Sequence, residues 1–303
     1  MDHDVLIIGG GPAGLAAALT LGRASRRVLL ADSGVPRNAR AEHMQNVLGR
    51  DGTPPARLRA DGRAELARYP TVEVRDVAVE AVEPGSATLA GGTVVTFRRL
   101  ILATGVVDVM APVDGFAERW GRTILHCPYC HGFEVRGQRL AIVGSGAHVA
   151  FIGTLLRDQY SSDIVLLTNG AEPPADPLGL PVRTEPIASI GDAATVTFAD
   201  DSVLERDALF AGGPWHQHAP FAEDLGCRMT PESCVEVDDL GRTSVEHVFA
   251  AGDMARRATL PGPMAAVAAA SAAGMVAGVA VDQSLHGDRV GVESPLLRVK
   301  LET

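Results

Sequence analysis

Aromatic residues make up only 4% of the 303-residue chain, so flat ring surfaces are not its main building material. Four cysteines are too few for the disulfide framework of a secreted domain. Positive charge is also short: 27 Lys and Arg stand against 37 Asp and Glu, a net charge of −10. An acidic surface repels phosphate backbones, so nucleic acid is not an expected partner. The chain opens MDHDVLIIGGG, without the basic start and longer apolar core of a signal peptide. One uncharged run, Met264 to Val281, reaches spanning length, but nine of its 18 residues are Ala. Alanine is barely hydrophobic, so a tightly packed internal helix is expected there rather than a membrane span. These absences point to a cytoplasmic globular protein.

What the chain has instead is glycine, 33 residues of it, with 46% hydrophobic and 21% charged residues. The length suggests about two domains, each able to form its own core. Two segments share one design. Val5-Leu6-Ile7-Ile8, then Gly9 to Gly14, then Leu15 to Gly22 read as buried strand, glycine turn and helix. Leu140-Ala141-Ile142-Val143, Gly144 to Val149 and Ala150 to Asp158 repeat it about 135 residues later. Each is followed by an apolar strand, Arg27 to Ala31 and Asp163 to Thr168. The expected fold is α/β with two Rossmann-like dinucleotide-binding domains, the second inserted in the first. The strands Leu100 to Ala103 and Val248 to Ala251 both end in glycine turns, which returns the C-terminal part to the first domain. The expected boundaries are 1–117 with 246–303, and 118–245.

A lone GxGxxG is weak evidence, but here its context is complete. Gly9 permits a tight turn, Gly11 lets the backbone approach a pyrophosphate, and Gly14 lets helix and strand pack closely. The helix start offers free N–H groups to phosphates. Asp32 ends the second strand, 23 residues after Gly9, where a carboxylate can hold a ribose diol.

Cys127-Pro128-Tyr129-Cys130 is the expected chemical centre. Two cysteines so spaced at a helix start form a reactive disulfide, because the helix terminus lowers the thiolate pKa. CPYC taken alone is also the glutaredoxin sequence. A zinc site built on the flanking His126 and His131 is the other reading. Adjacent residues rarely converge on one tetrahedral ion and no second CxxC completes it, so no metal is expected. Cys227 is expected to be a buried small residue and Cys234 a surface thiol.

Together these features resemble the flavin-dependent disulfide reductases of the small thioredoxin reductase-like type, over nearly the whole chain. The resemblance implies FAD in the first domain and a homodimer. It implies cofactor contacts from Gly9, Gly11, Pro12, Ala13, Gly14, Asp32, Ser33, Arg37, Asn38 and Asn46. It adds Ala103, Thr104, Gly105, Gly252 and Asp253, with Ala266 and Val267 at a helix start aimed at the flavin. It further implies that Cys130 lies under the flavin and that Cys127 exchanges with substrate.

Two features narrow the resemblance. His131 stands where classical thioredoxin reductases carry an acid, and a histidine can take a proton from an incoming thiol. Cys-x-x-Cys-His-Gly resembles the dithiol oxidases that close disulfides in gliotoxin-, holomycin- and romidepsin-type natural products. The second glycine loop has Val149 in place of the third glycine, and its next strand ends Thr168-Asn169-Gly170. No Lys or Arg lies between Asp158 and Val182, so neither the carboxylate for NADH nor the arginines for NADPH are there. The expected activity is an FAD-dependent oxidation of a small-molecule or peptide dithiol, with O2 as acceptor and His131, helped by His126, moving protons. The alternatives are a disulfide reductase fed by NADPH or another donor, and a flavin redox sensor that does not turn over.

Overall fold

A computed structural model describes residues 1–260, 262 and 264–298. In chain order the first elements are β1 (His3–Ile8), α1 (Pro12–Arg23), β2 (Val28–Asp32), α2 (Pro55–Leu66) and β3 (Val72–Asp76). Then come β4 (Val79–Glu83), β5 (Ser86–Leu89), β6 (Val94–Leu102), β7 (Val106–Asp108), α3 (Phe116–Arg119), β8 (Ile124–Leu125) and α4 (Pro128–His131). They are followed by β9 (Leu140–Val143), α5 (Ala147–Gln159), β10 (Ile164–Leu167), β11 (Val182–Arg183), β12 (Ile187–Ile190), β13 (Val196–Phe198), β14 (Val203–Leu204) and β15 (Ala208–Ala211). The last are β16 (Trp215–Gln217), α6 (Phe221–Asp224), β17 (Val235–Glu236), β18 (Val248–Ala250), β19 (Ala255–Arg256) and α7 (Val267–Val290).

The chain divides into two compact units. The first comprises Met1–Ala39, Ala56–Val107 and the chain from Trp215 on. Its sheet runs β3-β2-β1-β6-β5-β4, with β18 also paired to β6. The strands β3, β2, β1, β6 and β18 are parallel, while β4 and β5 return antiparallel. Burial on both faces explains why β1 reads as an unbroken apolar run rather than an alternation. Val5 and Ile7 pack with α1 and α7, and Leu6 and Ile8 with Leu89, Phe97, Phe221 and Val235. Helix α7 lies along α1 so closely that a methyl group on Gly274 would stand 2.0 Å from the Ala13 carbonyl oxygen. By length and composition α7 could cross a membrane. Its Ala270, Ala277, Ala280, Val281 and Leu285 are instead core residues of this unit.

The second unit comprises Arg40–Pro55 and Asp108–Pro214. Its parallel sheet runs β11-β10-β9-β15-β8, flanked by the antiparallel β12-β13-β14. Three segments differ from expectation. Residues 215–245 belong to the first unit, because Phe221, Ala222, Cys227 and Val235 complete its core. Residues 40–55 and 108–117 belong to the second, where Phe116 packs with Ile124 and Ile190.

Candidate cofactor and redox sites

In the first unit, four strand ends come level. Ile8 pairs with Ala31 and with Leu102, and Leu102 pairs with Ala250. The chain then turns at each end, and the turns hydrogen-bond onto the neighbouring strands. Gly9 N donates to Ala31 O at 2.8 Å, Ala103 N to Ile8 O at 2.9 Å, and Ala251 N to Leu102 O at 2.9 Å. Gly9, Asp32, Ala103 and Gly252 therefore meet outside the carboxyl ends of parallel strands, where doubly wound sheets bind ligands.

Each loop glycine has its own reason. A methyl group on Gly9 would stand 2.2 Å from Ala103 O, and one on Gly14 would stand 1.8 Å from Gly9 O. At Gly11 the same methyl meets nothing within 4 Å. Gly11 caps α1 without a side-chain hydrogen bond and Pro12 follows, so no side chain covers the helix start at Gly11. Backbone N–H groups and the dipole at such a helix start suit a pyrophosphate. Gly252, at φ +84°, lies 3.1 Å by its missing Cβ from Ala13 and 3.9 Å from Ala270, so it links the starts of α1 and α7.

The polar residues around the glycine loop are held as well. Arg37 pairs with Asp253 at 2.8 Å, which ties the loop after β2 to the turn after β18. Ser33 is exposed and Asn38 half-buried in that loop. The Thr104 hydroxyl donates to Met254 Sδ at 3.3 Å. The Asp32 carboxylate is buried, and burial pushes its pKa up; the Gly34 amide, Arg63 and Arg59 overcome this and hold it below the ordinary aspartate value. Asn46 lies on a different part of the chain. It is exposed, at φ +60°, in the segment that joins the second unit, and its N–H donates to Asp51 at 2.6 Å. Ala266 is the N-cap of α7 and Val267 its first residue, 14 positions after Asp253 with β19 between.

In the second unit, Cys127 and Cys130 are joined in a disulfide, with Cα atoms 5.2 Å apart. Cys127 caps α4, and the amides of Cys130 and His131 both donate to its carbonyl at 3.2 Å. The helix has a single turn, so its dipole contributes less than a full helix start would. His131 follows directly. Burial lowers its pKa from the ordinary histidine value, against Glu134 and the Cys127 carbonyl, which raise it. Its Nδ1 is buried without a hydrogen-bond partner. His126 is exposed, tilted against Trp120 with ring centroids 6.2 Å apart. Tyr129 and Phe133 expose 62% of their surface on either side of Cys130.

The second glycine loop is built differently from the first. Val149 Cγ2 would lie 3.1 Å from a methyl on Gly144, so its side chain covers the turn. The polar side chains at the end of β10 bond within the second unit. The Thr168 hydroxyl donates to Ala171 O at 2.7 Å, and Asn169 Oδ1 accepts from Ile187 N at 2.7 Å. Arg183, the first cation beyond the gap, bonds Glu185 and Ser202 and lies 3.8 Å over the Phe198 ring.

Sequence reasoning missed Arg59 and Arg63, which reach Asp32 from α2. The available signal was two arginines four residues apart, a spacing that places both on one helix face. It also misjudged Cys234, which is fully buried like Cys227. Cys234 is walled in by its own turn, where its amide donates to the Thr230 hydroxyl at 3.2 Å.

The sequence profile of the pyridine nucleotide-disulphide oxidoreductases matches residues 3–169 and 180–274. The chain is 33% identical over 315 residues to a Claviceps purpurea (strain 20.1) protein named Thioredoxin reductase tcpT, covering 94% of this chain and 96% of that one. It is 34% identical over 324 residues to Thioredoxin reductase sirT of Leptosphaeria maculans, covering 97% of each. Among solved structures it superposes on HlmI with a TM-score of 0.86 and 34% identity, over 95% of this chain and 94% of that one.

Proposed function

The chain belongs to the pyridine nucleotide-disulphide oxidoreductase family, as a thioredoxin reductase-like flavoprotein that binds FAD, and within that family we propose that it is a dithiol oxidase. The observation that carries this reading is the second glycine loop. The Thr168 hydroxyl is spent on Ala171 O and Asn169 Oδ1 on the Ile187 amide of β12, Arg183 is paired, and Val149 covers the turn. A nicotinamide dinucleotide finds neither a ribose carboxylate nor a 2′-phosphate cation there. Electrons then come from the substrate.

The residues support the following sequence. A substrate thiolate attacks Cys127 Sγ, the Cys127–Cys130 bond breaks, and Cys130 leaves as a thiolate. His131 takes the proton of the second substrate thiol. That thiolate attacks the substrate sulfur of the mixed disulfide, closing the product disulfide and releasing Cys127. The substrate has lost two electrons and the cysteine pair has gained them. When bound, FAD supplies the redox chemistry that returns the pair to its disulfide and delivers the two electrons, with two protons, to O2 as hydrogen peroxide. Around the cofactor the residues that fit are Gly11 and the α1 amides for the pyrophosphate, Asp32 for the ribose, and Arg37 with Asp253 at the turn after β18.

The second reading is a reductase that runs the cysteine pair the other way, favoured by the names of tcpT and sirT. Anaerobic mixing separates the two. A small dithiol bleaches the flavin promptly, and air restores its colour with one peroxide per dithiol. Rapid bleaching by micromolar NADPH overturns the oxidase reading.

A further inference from the structure

Helix α2 carries none of the glycine-loop residues, yet two of its side chains end on Asp32. Arg59 Nη2 donates to Asp32 Oδ2 at 2.8 Å and Arg63 Nη2 to the same oxygen at 2.6 Å. Asp32 Oδ1 accepts the Gly34 amide at 3.0 Å. Arg63 also reaches Asp76 at 2.6 Å. The Arg59 Nε is buried without a hydrogen-bond partner.

This has two consequences. A carboxylate oxygen accepts about two hydrogen bonds, so Oδ2 is filled and Oδ1 keeps roughly one free position. Asp32 therefore offers a ribose diol one acceptor, in a fixed direction. The second is electrostatic. The carboxylate lies directly on the glycine loop: a methyl on Gly10 would stand 2.2 Å from Oδ2. An unneutralised buried carboxylate there would repel the pyrophosphate that the same loop cradles. The two guanidinium groups remove that repulsion.

We propose that Arg59 and Arg63 are positioning residues of the FAD site: they orient Asp32 toward the adenosine ribose and cancel its charge beside the pyrophosphate. The proposal rests on FAD binding and not on the dithiol-oxidase reading, so it stands or falls separately from that reading.

The test measures dissociation constants of FAD and of ADP for the apoprotein, with apoprotein melting temperature as the fold control. Arg59→Gln should weaken both ligands about tenfold, the effect of removing one charge-assisted hydrogen bond. Arg59→Lys, which keeps the charge, should recover most of the affinity. In Asp32→Asn protein, where no carboxylate is left to neutralise, adding Arg59→Gln should change ADP affinity less than twofold. A merely structural role predicts the same weakening in both backgrounds and no rescue by lysine, and that result overturns the proposal. So does an Arg59→Gln protein that binds FAD and ADP like the wild type. If Arg59→Gln does not fold, Arg63→Gln with its own Asp32→Asn partner gives the same comparison.

Discussion

Among single residues, Gly11 and Gly14 show how different two glycines of one motif are. Gly11 has an ordinary φ of −75° and open space where a side chain would go. Gly11→Val should therefore leave the apoprotein's melting temperature nearly unchanged while sharply weakening FAD, read by flavin retention on purification and by titration. An apoprotein that melts much earlier would show that the position serves the fold. His131 makes a second prediction. Its pKa lies below the ordinary histidine value because the ring is buried, so the neutral base survives to lower pH. The rising limb of dithiol oxidation against pH should sit on the acid side of that ordinary value. His131→Ala should flatten the limb and slow oxidation about a hundredfold, with flavin content unchanged. An unaltered profile would remove His131 from the reaction. Both perturbed groups make the fold less stable in acid. Asp32, depressed, contributes stability above its unfolded pKa and loses it as pH falls through the folded one. His131 resists the proton that the unfolded chain accepts, so it too costs stability as pH falls below its unfolded pKa.

Among the elements, the packing of α1 on α7 decides how the first unit closes. The alanine-rich run that reads as near-spanning in sequence is a helix whose Gly274 and Gly278 face Ala13 and Thr20 across a gap with no room for a methyl group. Gly274→Val must push the helices apart, and overpacking of this kind costs about 1–3 kcal/mol. For a unit of this size that lowers Tm by about 2–4 °C per kcal/mol, measured by thermal unfolding of the apoprotein. FAD retention should fall with it, because Ala13 belongs to the helix start proposed to cradle the pyrophosphate. A variant with wild-type Tm would mean that the two helices are held less tightly than their backbones indicate. The short α4 is the opposite case. One turn beginning at Pro128 places Cys127 at a cap, and so short a helix contributes little macrodipole to the pair.

Across the whole molecule, two units of the same βαβ design have diverged in what they can hold. In the first, the helix start is open and the carboxylate at the end of β2 is buried and oriented. In the second, the equivalent strand end carries Thr168 and Asn169, which bond Ala171 and Ile187. Each absent hydrogen bond to a charged phosphate costs roughly 1.5–3 kcal/mol, about ten- to a hundredfold in affinity. Several such absences together predict that flavin bleaching by NADPH or NADH in the anaerobic test is slow at any concentration that saturates a reductase. Substituting Arg183 should make it no slower, since that guanidinium is already committed to Glu185 and Ser202.

Order along the chain was enough to specify the two glycine loops, the strands before and after them, and the cysteine pair. These are short-range patterns: a few consecutive residues dictate a strand, a turn that needs glycine, and a helix. The missing cations after β10 were legible for the same reason, as a property of one continuous stretch. Which side chains meet was settled by the docking of elements. Arg59 and Arg63 stand 27 and 31 residues from Asp32, and they reach it because α2 is laid against the end of β2. Cys234 is buried and residues 215–245 join the first unit because Phe221 and Val235 find their apolar partners on β1, β5 and β6. Residues 40–55, Asn46 among them, join the second unit although they follow β2 of the first in the chain. Long-range burial and ion pairing are set by where the elements dock, and no local pattern in the chain carries that information.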